Sequence, residues 1–472
     1  MKVLFCSPEV YPFSKIGGLA DFSAALPSSL NHMGNTVYVV SPYYERVKRE
    51  YGKDMEFVGE REIKIGDEIQ IAKYYRTTYN DVRYFFVSHE YFNRKYFFNH
   101  SDDVQRFLFF NLAILELIPL ISFYPDLIHV NDWATSLVPY FLSTIYSTNS
   151  EYEHIKTLLT IHNLEKQGAF SRDFESFFGN RNFTYIHLNN VNFLKTGIMR
   201  SSKINTVSKS YRSEILTKFF GFSLDGALKS RQFELYGIQN GLDFNLYNPK
   251  TDKYIFKNYD ISSHKDGKRI NKEKLLKEIG FEDNNKMVLT FISRFAKEKG
   301  VALINEVIEK YLKDDRFYFL VIGEGDINYE DHFFKLVDTY PKNIHFVHGH
   351  NHETSQKFYA ASDLLLMPSL YEASGLNQMI AMRYGTLPLV RETGGLKDTV
   401  IPYDEVTKIG TGFTFENFDD EELRDAIDKA VDIYYNKPKT WDNIVENAMA
   451  IDNNIEKMAK EYNELYKDII KN

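Results

Sequence analysis

The sequence predicts an α/β protein made of two Rossmann-like, doubly wound parallel-sheet domains facing a deep cleft. Three observations carry that expectation. Strand-length apolar runs alternate with longer helical patterns, twice over, along the chain. Several of those runs are continuously hydrophobic, as parallel strands covered on both faces must be. At 472 residues the chain also exceeds what a single hydrophobic core usually serves.

In the first half the predicted strands are Lys2–Cys6, Thr36–Ser41, Val82–Val87, Leu127–Val130, Lys156–Ile161 and Ile204–Val207, with helices such as Leu19–Met33 and Gln105–Leu117 between them. From about Asp243 to Lys274 the periodicity fades among Asn, Asp, Lys, Tyr and Ser, which predicts a hinge or surface connection. A second series then supplies strands at Met287–Ile292, Phe317–Ile322, Ile344–Val347, Leu364–Met367 and Leu387–Val390, with helices at Lys299–Leu312 and Gly375–Tyr384. After Asp419 the pattern is helical and charged, and Asp419-Asp420-Glu421-Glu422 reads as a helix start whose acids complement the dipole. The domains expected are therefore 1–242 and 243–450, followed by a terminal helical segment, 451–472.

Composition narrows the function classes. Lys plus Arg number 57 against 65 acids, a net charge of −8, which argues against a nucleic-acid coat or a polybasic membrane binder. One cysteine, Cys6, leaves no room for an intramolecular disulfide framework or a Cys-rich metal site, and the chain reads as cytoplasmic. The N-terminal apolar run is too short for a signal-peptide core. Asn111, Glu116 and Pro119 interrupt the most apolar stretch, Phe107–Tyr124, so that stretch reads as a buried core helix rather than a membrane span.

Ligands in such sheets bind at the carboxyl ends of the strands, so the loops after the strands are the informative ones. After the first strand, Lys15-Ile16-Gly17-Gly18-Leu19-Ala20-Asp21 opens a helix. Paired glycines there let backbone N–H groups approach an anion, with Lys15 adding a positive charge, although a tight turn with a solvated lysine is the plainer reading. His129-Val130-Asn131-Asp132-Trp133 offers a carboxylate beside an aromatic face, a pairing that suits carbohydrate, and His162 ends a strand; Asn131 and Asn163 read equally well as turn formers. In the second half, Arg294 and Lys299 suit a diphosphate or are simply solvated. Pro368-Ser369-Leu370-Tyr371-Glu372-Ala373-Ser374-Gly375-Leu376 would open a helix with its free N–H groups in the cleft, and Glu372 just ahead of it either complements the dipole or steadies a sugar cation. Arg391-Glu392-Thr393-Gly394-Gly395-Leu396-Lys397-Asp398 repeats the style at the next junction. His348-Gly349-His350-Asn351-His352 has no second cluster to complete a metal site, and the non-metal reading is favoured.

Taken in order, Lys15–Asp21, Asn131–Trp133, Thr160–Gly168, Gly237–Asp243, Pro368–Gln378, Ala381–Thr386 and Arg391–Thr399 resemble the bacterial glycogen and plant starch synthases across nearly the whole chain. The resemblance implies a glycosyltransferase-B fold with acceptor glucan on the N-terminal side and sugar nucleotide on the C-terminal side. It implies transfer of glucose from ADP-glucose to an α-1,4-glucan with retention, with no cofactor or metal needed for the chemistry and no nucleic-acid or membrane partner. It also implies that residues 451–472 pack back on the N-terminal domain. By position, Arg294 and Lys299 would hold the diphosphate, with Lys15, Gly17 and Gly18 approaching it and Asp21 within the same motif. Glu372 would support the glucosyl cation and His162 would bond the donor sugar, while Asp132 and Asn240 would line the sugar and acceptor region. Ser374, Gly375 and Leu376 would give N–H groups to the distal phosphate, and Thr393 would help close the pocket.

Several positions depart from the family pattern: Ile16 for threonine, Ala373-Ser374 for Pro-Cys, Lys166 for tyrosine, Glu298 for glutamine and Asn93-Arg94-Lys95 for Asp-Arg-Pro. His350 stands where an aromatic residue often stacks on adenine. A related transferase using UDP-glucose or another acceptor, and a catalytically weak glucan-binding homologue, are the alternative readings.

Overall fold

The computed structural model describes residues 1–178, 186–282 and 285–471. The chain divides into two compact units, Met1–Asn240 with Ile455–Asn472, and Gly241–Asn454.

The first unit is organised by strands β1 (Lys2–Cys6), β2 (Thr36–Pro42), β3 (Glu56–Ile65), β4 (Glu68–Tyr79), β5 (Val82–Ser88), β6 (Leu127–Asn131), β7 (Lys156–Ile161), β8 (Ala169–Ser171), β9 (Ile186–His187), β10 (Asn190–Asn192), β11 (Lys203–Thr206) and β12 (Leu235–Gly237). Its main sheet has the order β12-β11-β7-β6-β1-β2-β5-β4-β3. Six strand pairs are parallel, from β12 through to β5. At one edge β3 and β4 add a long antiparallel hairpin to these parallel strands. The reason is visible in the residues. Ile63, Ile65, Ala72 and Tyr74 are buried between exposed Glu62, Lys64, Ile71 and Lys73, the alternation of a sheet covered on one face only. Strands β8, β10 and β9 form a small separate antiparallel sheet.

The apolar stretch at 107–124 lies mostly in the helix Asp103–Leu120, which is buried on nearly every side. No described helix is long and apolar enough to cross a membrane. Its polar residue Asn111 is fully buried and fully used. The side-chain amide donates to the carbonyls of Phe107 and Ala134, and its oxygen accepts from the N–H groups of Leu137 and Val138. The last helix, Ile455–Lys471, buries Met458, Ala459, Tyr462, Leu465, Tyr466 and Ile469 along one face. Each large apolar side chain so buried contributes about 1.5–3 kcal/mol. Two of its tyrosines reach into the sheet: the Tyr466 hydroxyl lies 2.6 Å from His129 Nδ1, and that of Tyr462 accepts from Asn205 Nδ2 at 2.7 Å.

The second unit has strands β13 (Met287–Ile292), β14 (Phe317–Gly323), β15 (Ile344–His348), β16 (Leu364–Met367), β17 (Leu387–Arg391) and β18 (Phe413–Phe415). Their order is β15-β14-β13-β16-β17-β18, parallel throughout. Numbered within the unit this is 3-2-1-4-5-6, the dinucleotide-fold order. Asp419 caps the helix Asp420–Asn436 through the N–H groups of Glu421 and Glu422.

The polar stretch 243–274 is not wholly a connection. Its second part belongs to the helix His264–Glu278, packed on the helix His352–Ala361. Periodicity failed there because the buried face is partly polar: it includes Gly267 and Asn271, and Asn271 bonds the backbone of Phe256 and Lys257.

Replacing Asn111 by leucine leaves two buried N–H groups unpaired, each costing about 1–3 kcal/mol. Urea unfolding of Asn111→Leu should show the first unit destabilised by about 3 kcal/mol.

Candidate active site

In the second unit the strand order reverses between β13 and β16, and the loops after those two strands lie side by side. The first of them runs through a short turn at Lys297–Lys299, and the second carries Glu372. Lys299 Nζ lies 2.6 Å from Glu372 Oε2, with 20% and 14% of the two side chains exposed. Ser369 Oγ donates to the same carboxylate oxygen at 3.4 Å. The loop backbones are joined as well, Leu370 N–H donating to the Glu298 carbonyl at 2.8 Å. Arg294 is 64% exposed and lies 3.4 Å from Oε1 of Glu298, the residue before Lys299.

A third loop braces the second. Gly395 N–H donates to the Glu372 carbonyl at 3.1 Å. Gly394 has φ +45°, and a Cβ there would lie 2.0 Å from that carbonyl oxygen. Only glycine permits both the backbone angle and the approach. Thr393 is fully buried and caps the short helix Gly394–Thr399.

The helix expected from Gly375 begins two residues later, at Asn377, with Leu376 as its cap. Gly375 is left-handed, φ +70°, and turns the chain before the helix can start. Ser374 is buried, and its carbonyl accepts from Gln378 Nε2. His350 is exposed in the loop after β15. Its neighbours disperse: His348 Nε2 lies 3.1 Å from Glu330, and His352 packs against the rings of Tyr247 and Tyr254.

The first unit repeats the geometry. Its order reverses between β1 and β6, and the ends of those strands are tied by Asn131 Nδ2 donating to the Cys6 carbonyl at 2.9 Å. That bond fixes which way the Asn131 amide points. Its oxygen then accepts from His162 Nε2–H at 3.0 Å, which assigns the histidine tautomer and leaves Nδ1 as an acceptor. Burial pushes His162 down to about 3, so the ring is neutral. Asp132, at φ +53°, accepts from the N–H groups of His162 and Asn163 at 2.7 and 3.3 Å. Burial outweighs those two donors and pushes its carboxyl up to about 7.

Of the paired glycines read as approaching an anion, Gly17 already gives its N–H to Glu9 Oε2 at 3.0 Å, as the neighbouring Ile16 does at 2.6 Å. The anion in that nest is the chain's own buried carboxylate, itself raised by burial. Lys15 pairs with Asp21 at 2.7 Å. Gly18 starts the helix Gly18–His32, and a Cβ on Gly17 would meet nothing within 4 Å, so the surface over it is open. Trp133, read as an aromatic face for carbohydrate, is partly exposed; its ring packs among Phe98, Phe107, Phe170 and Phe193 at tilted and edge-on angles, with Gly168 pressed against it. Asn163 is the turn former, through Glu165 N–H, whereas Asn131 is a bridge. Asn240 Oδ1 is buried without a partner among the described residues.

Residues 2–230 match the family described as starch synthase catalytic domain, and residues 271–471 that of glycosyl transferases group 1. Glycogen synthase of Acholeplasma laidlawii is 45% identical, with 100% of this chain and 99% of that protein aligned. The chain belongs to the glycogen synthase family. Glycogen synthase of Finegoldia magna, a further member, is 39% identical over the full length of both. The catalytic domain of starch synthase IV from Arabidopsis thaliana, solved with ADP and acarbose, superposes with a TM-score of 0.92 at 29% identity, covering 100% of this chain and 99% of that one. Sucrose-phosphate synthase from Thermosynechococcus elongatus shares the fold at a TM-score of 0.64 and 16% identity. The architecture is the glycosyltransferase-B fold, and the protein is a glucosyltransferase of the glycogen synthase family.

Sequence reasoning left Glu9, Ser369 and Arg391 without roles. The signal for Glu9 was an acid three residues beyond the end of the first strand, in a loop at the carboxyl edge of the sheet.

The raised carboxyl of Asp132 sets two opposed pH effects. The folded chain takes up this proton before the unfolded chain does, so between about 7 and about 4 the group's contribution to stability grows as pH falls. Over the same window the neutral acid holds the His162 and Asn163 N–H groups less strongly. Activity should therefore show an acid limb near pH 7, and Asp132→Asn should remove that limb while lowering the plateau, measured as kcat/KM against pH.

Proposed function

We propose that the chain extends the non-reducing end of an α-1,4-glucan with glucose from ADP-glucose, retaining the anomeric configuration, and that it does so in the cytoplasm. The single observation that carries the assignment of roles is the Lys299–Glu372 pair at 2.6 Å on two loops of the sheet reversal. Breaking a glycosyl–phosphate bond leaves negative charge on the nucleotide and positive charge on the sugar. A cation and a carboxylate held side by side match both charges in the order in which they develop.

In this reading Lys299 and Arg294 hold the departing diphosphate, helped by the backbone N–H groups of Ser374, Gly375 and Leu376. Glu372 steadies the glucosyl cation. The exposed flank of Arg294 and its weak tie to Glu298 leave its guanidinium fork available to a phosphate. In the first unit His162 accepts a sugar hydroxyl at Nδ1, the one ring nitrogen not committed to Asn131. Lys15, oriented by Asp21, serves the donor side, and the open surface over Gly17 with the helix start at Gly18 gives the donor room to approach. Asp132 holds the His162 loop, and the unpartnered Asn240 Oδ1 is an acceptor for a further hydroxyl. Thr393 acts from behind, through the turn that braces Glu372, and His350 lies at the nucleotide's edge. The chain's own residues supply each charge invoked, and no cofactor is required by this scheme.

Purified protein given glycogen and ADP-glucose should release ADP and lengthen chains; no transfer from any nucleotide-glucose would end the proposal. A competition between ADP-glucose and UDP-glucose separates this reading from that of a UDP-dependent relative. Removing one preorganised charge of this kind costs about 10²–10³ in kcat. Glu372→Ala and Lys299→Ala should each lose turnover on that scale with melting temperatures near the parent's. A carboxylate that merely bonded a hydroxyl in ground and transition states alike would leave kcat nearly unchanged.

A further inference from the structure

The geometry points to Arg391 as the residue that positions Glu372 for the reaction. Arg391 is the last residue of β17, and only 8% of it is exposed. Its guanidinium donates to the carbonyl of Ser369 through Nε at 2.7 Å, to that of Leu370 through Nη2, and to that of Glu416 through Nη1 at 3.1 Å. Ser369 and Leu370 lie three and two residues before Glu372, and Ser369 also donates its hydroxyl to the Glu372 carboxylate. One planar fork therefore grips the backbone on the near side of Glu372. The Gly395 N–H grips the Glu372 carbonyl from the far side.

Taking a guanidinium out of water is costly, and the cost is offset only where several acceptors are aimed at it. A hold that served folding alone would need no charge at this point. The sheet already fixes β16 and β17 through their ladder, and Leu370 N–H is bonded to Glu298. What the ladder does not reach is the segment after β16, where the carboxylate sits. Arginine suits that segment because its rigid fork sets three carbonyls at fixed angles, which a flexible ammonium cannot do. Displacement of a reacting group by about 1 Å is enough to cost roughly 10²-fold in rate.

The inference rests on the glucosyl transfer proposed above. Arg391→Lys keeps the charge and loses the fork, and Arg391→Ala opens a space for free guanidinium. In Arg391→Lys, kcat should fall roughly 100-fold, while KM for ADP-glucose, ADP affinity by calorimetry and melting temperature stay near the parent's. Millimolar guanidinium should restore part of the rate of Arg391→Ala and none of that of Glu372→Ala. The assignment is overturned by a folded Arg391→Lys with kcat within threefold of the parent, by parallel losses of kcat and ADP affinity, or by collapse of the fold in both variants. A parent chain that transfers no glucose removes the proposed function itself, whereas an active parent with an unaffected Arg391→Lys removes only this inference.

Discussion

Two parallel sheets that reverse their strand order impose the constraint from which the chemistry follows. At each reversal two loops leave the same edge in opposite directions, and a gap opens between them that no crossover helix covers. Between β13 and β16 that gap receives Lys299 and Glu372; between β1 and β6 it receives Asn131, Asp132 and His162. Each cluster joins residues far apart in sequence. Lys299 and Glu372 are brought within 2.6 Å because β13 and β16 pair directly, and Asn131 reaches Cys6 because β6 and β1 do.

The loops at these gaps would be mobile if the strands alone held them, because a loop's backbone groups have no ladder to join. Here buried polar side chains supply the missing partners. Glu9 takes two N–H groups of the Lys15 loop on one oxygen, Asp132 takes those of His162 and Asn163, and Arg391 takes the carbonyls of Ser369, Leu370 and Glu416. The pattern has a physical logic. Acids hold loops that present N–H groups and a cation holds a loop that presents carbonyls, so each anchor is matched in sign to the backbone it fixes.

What the sequence reveals depends on whether a residue's role is local. Lys15, Lys299, Glu372 and the paired glycines stand out as candidates because of their type and position after a strand, although each also has a plainer reading there. Family resemblance then orders them. Glu9 acts through partners 7 and 8 residues away, Asn131 through partners 31 and 125 away, and Arg391 through partners 21 to 25 away, and nothing in a one-dimensional pattern reports such pairings. The same limit applies to Trp133, whose ring neighbours Phe107 and Phe193 come from distant parts of the chain. The β3–β4 hairpin was legible in its alternation but fell between two parallel strands, β2 and β5, where a crossover helix is the default expectation. The helix at 264–278 hid because glycine and asparagine occupy its buried face.

The Lys299–Glu372 pair itself makes little sense as a device for stability. A largely buried ion pair roughly breaks even against a well-packed apolar pair, since desolvation cancels most of its attraction. In the transfer proposed above, its value lies in having most of that desolvation met on folding: charges largely removed from water and held by Ser369, Leu370 and the Gly394 turn would need little reorganisation as a glycosyl bond polarises. The glycine pair behind Glu372 belongs to the same argument, because a side chain at Gly394 would push the carbonyl away and loosen the carboxylate it carries. The apolar burial lies in the cores of the two units, whereas the strand-reversal loops are held by polar contacts.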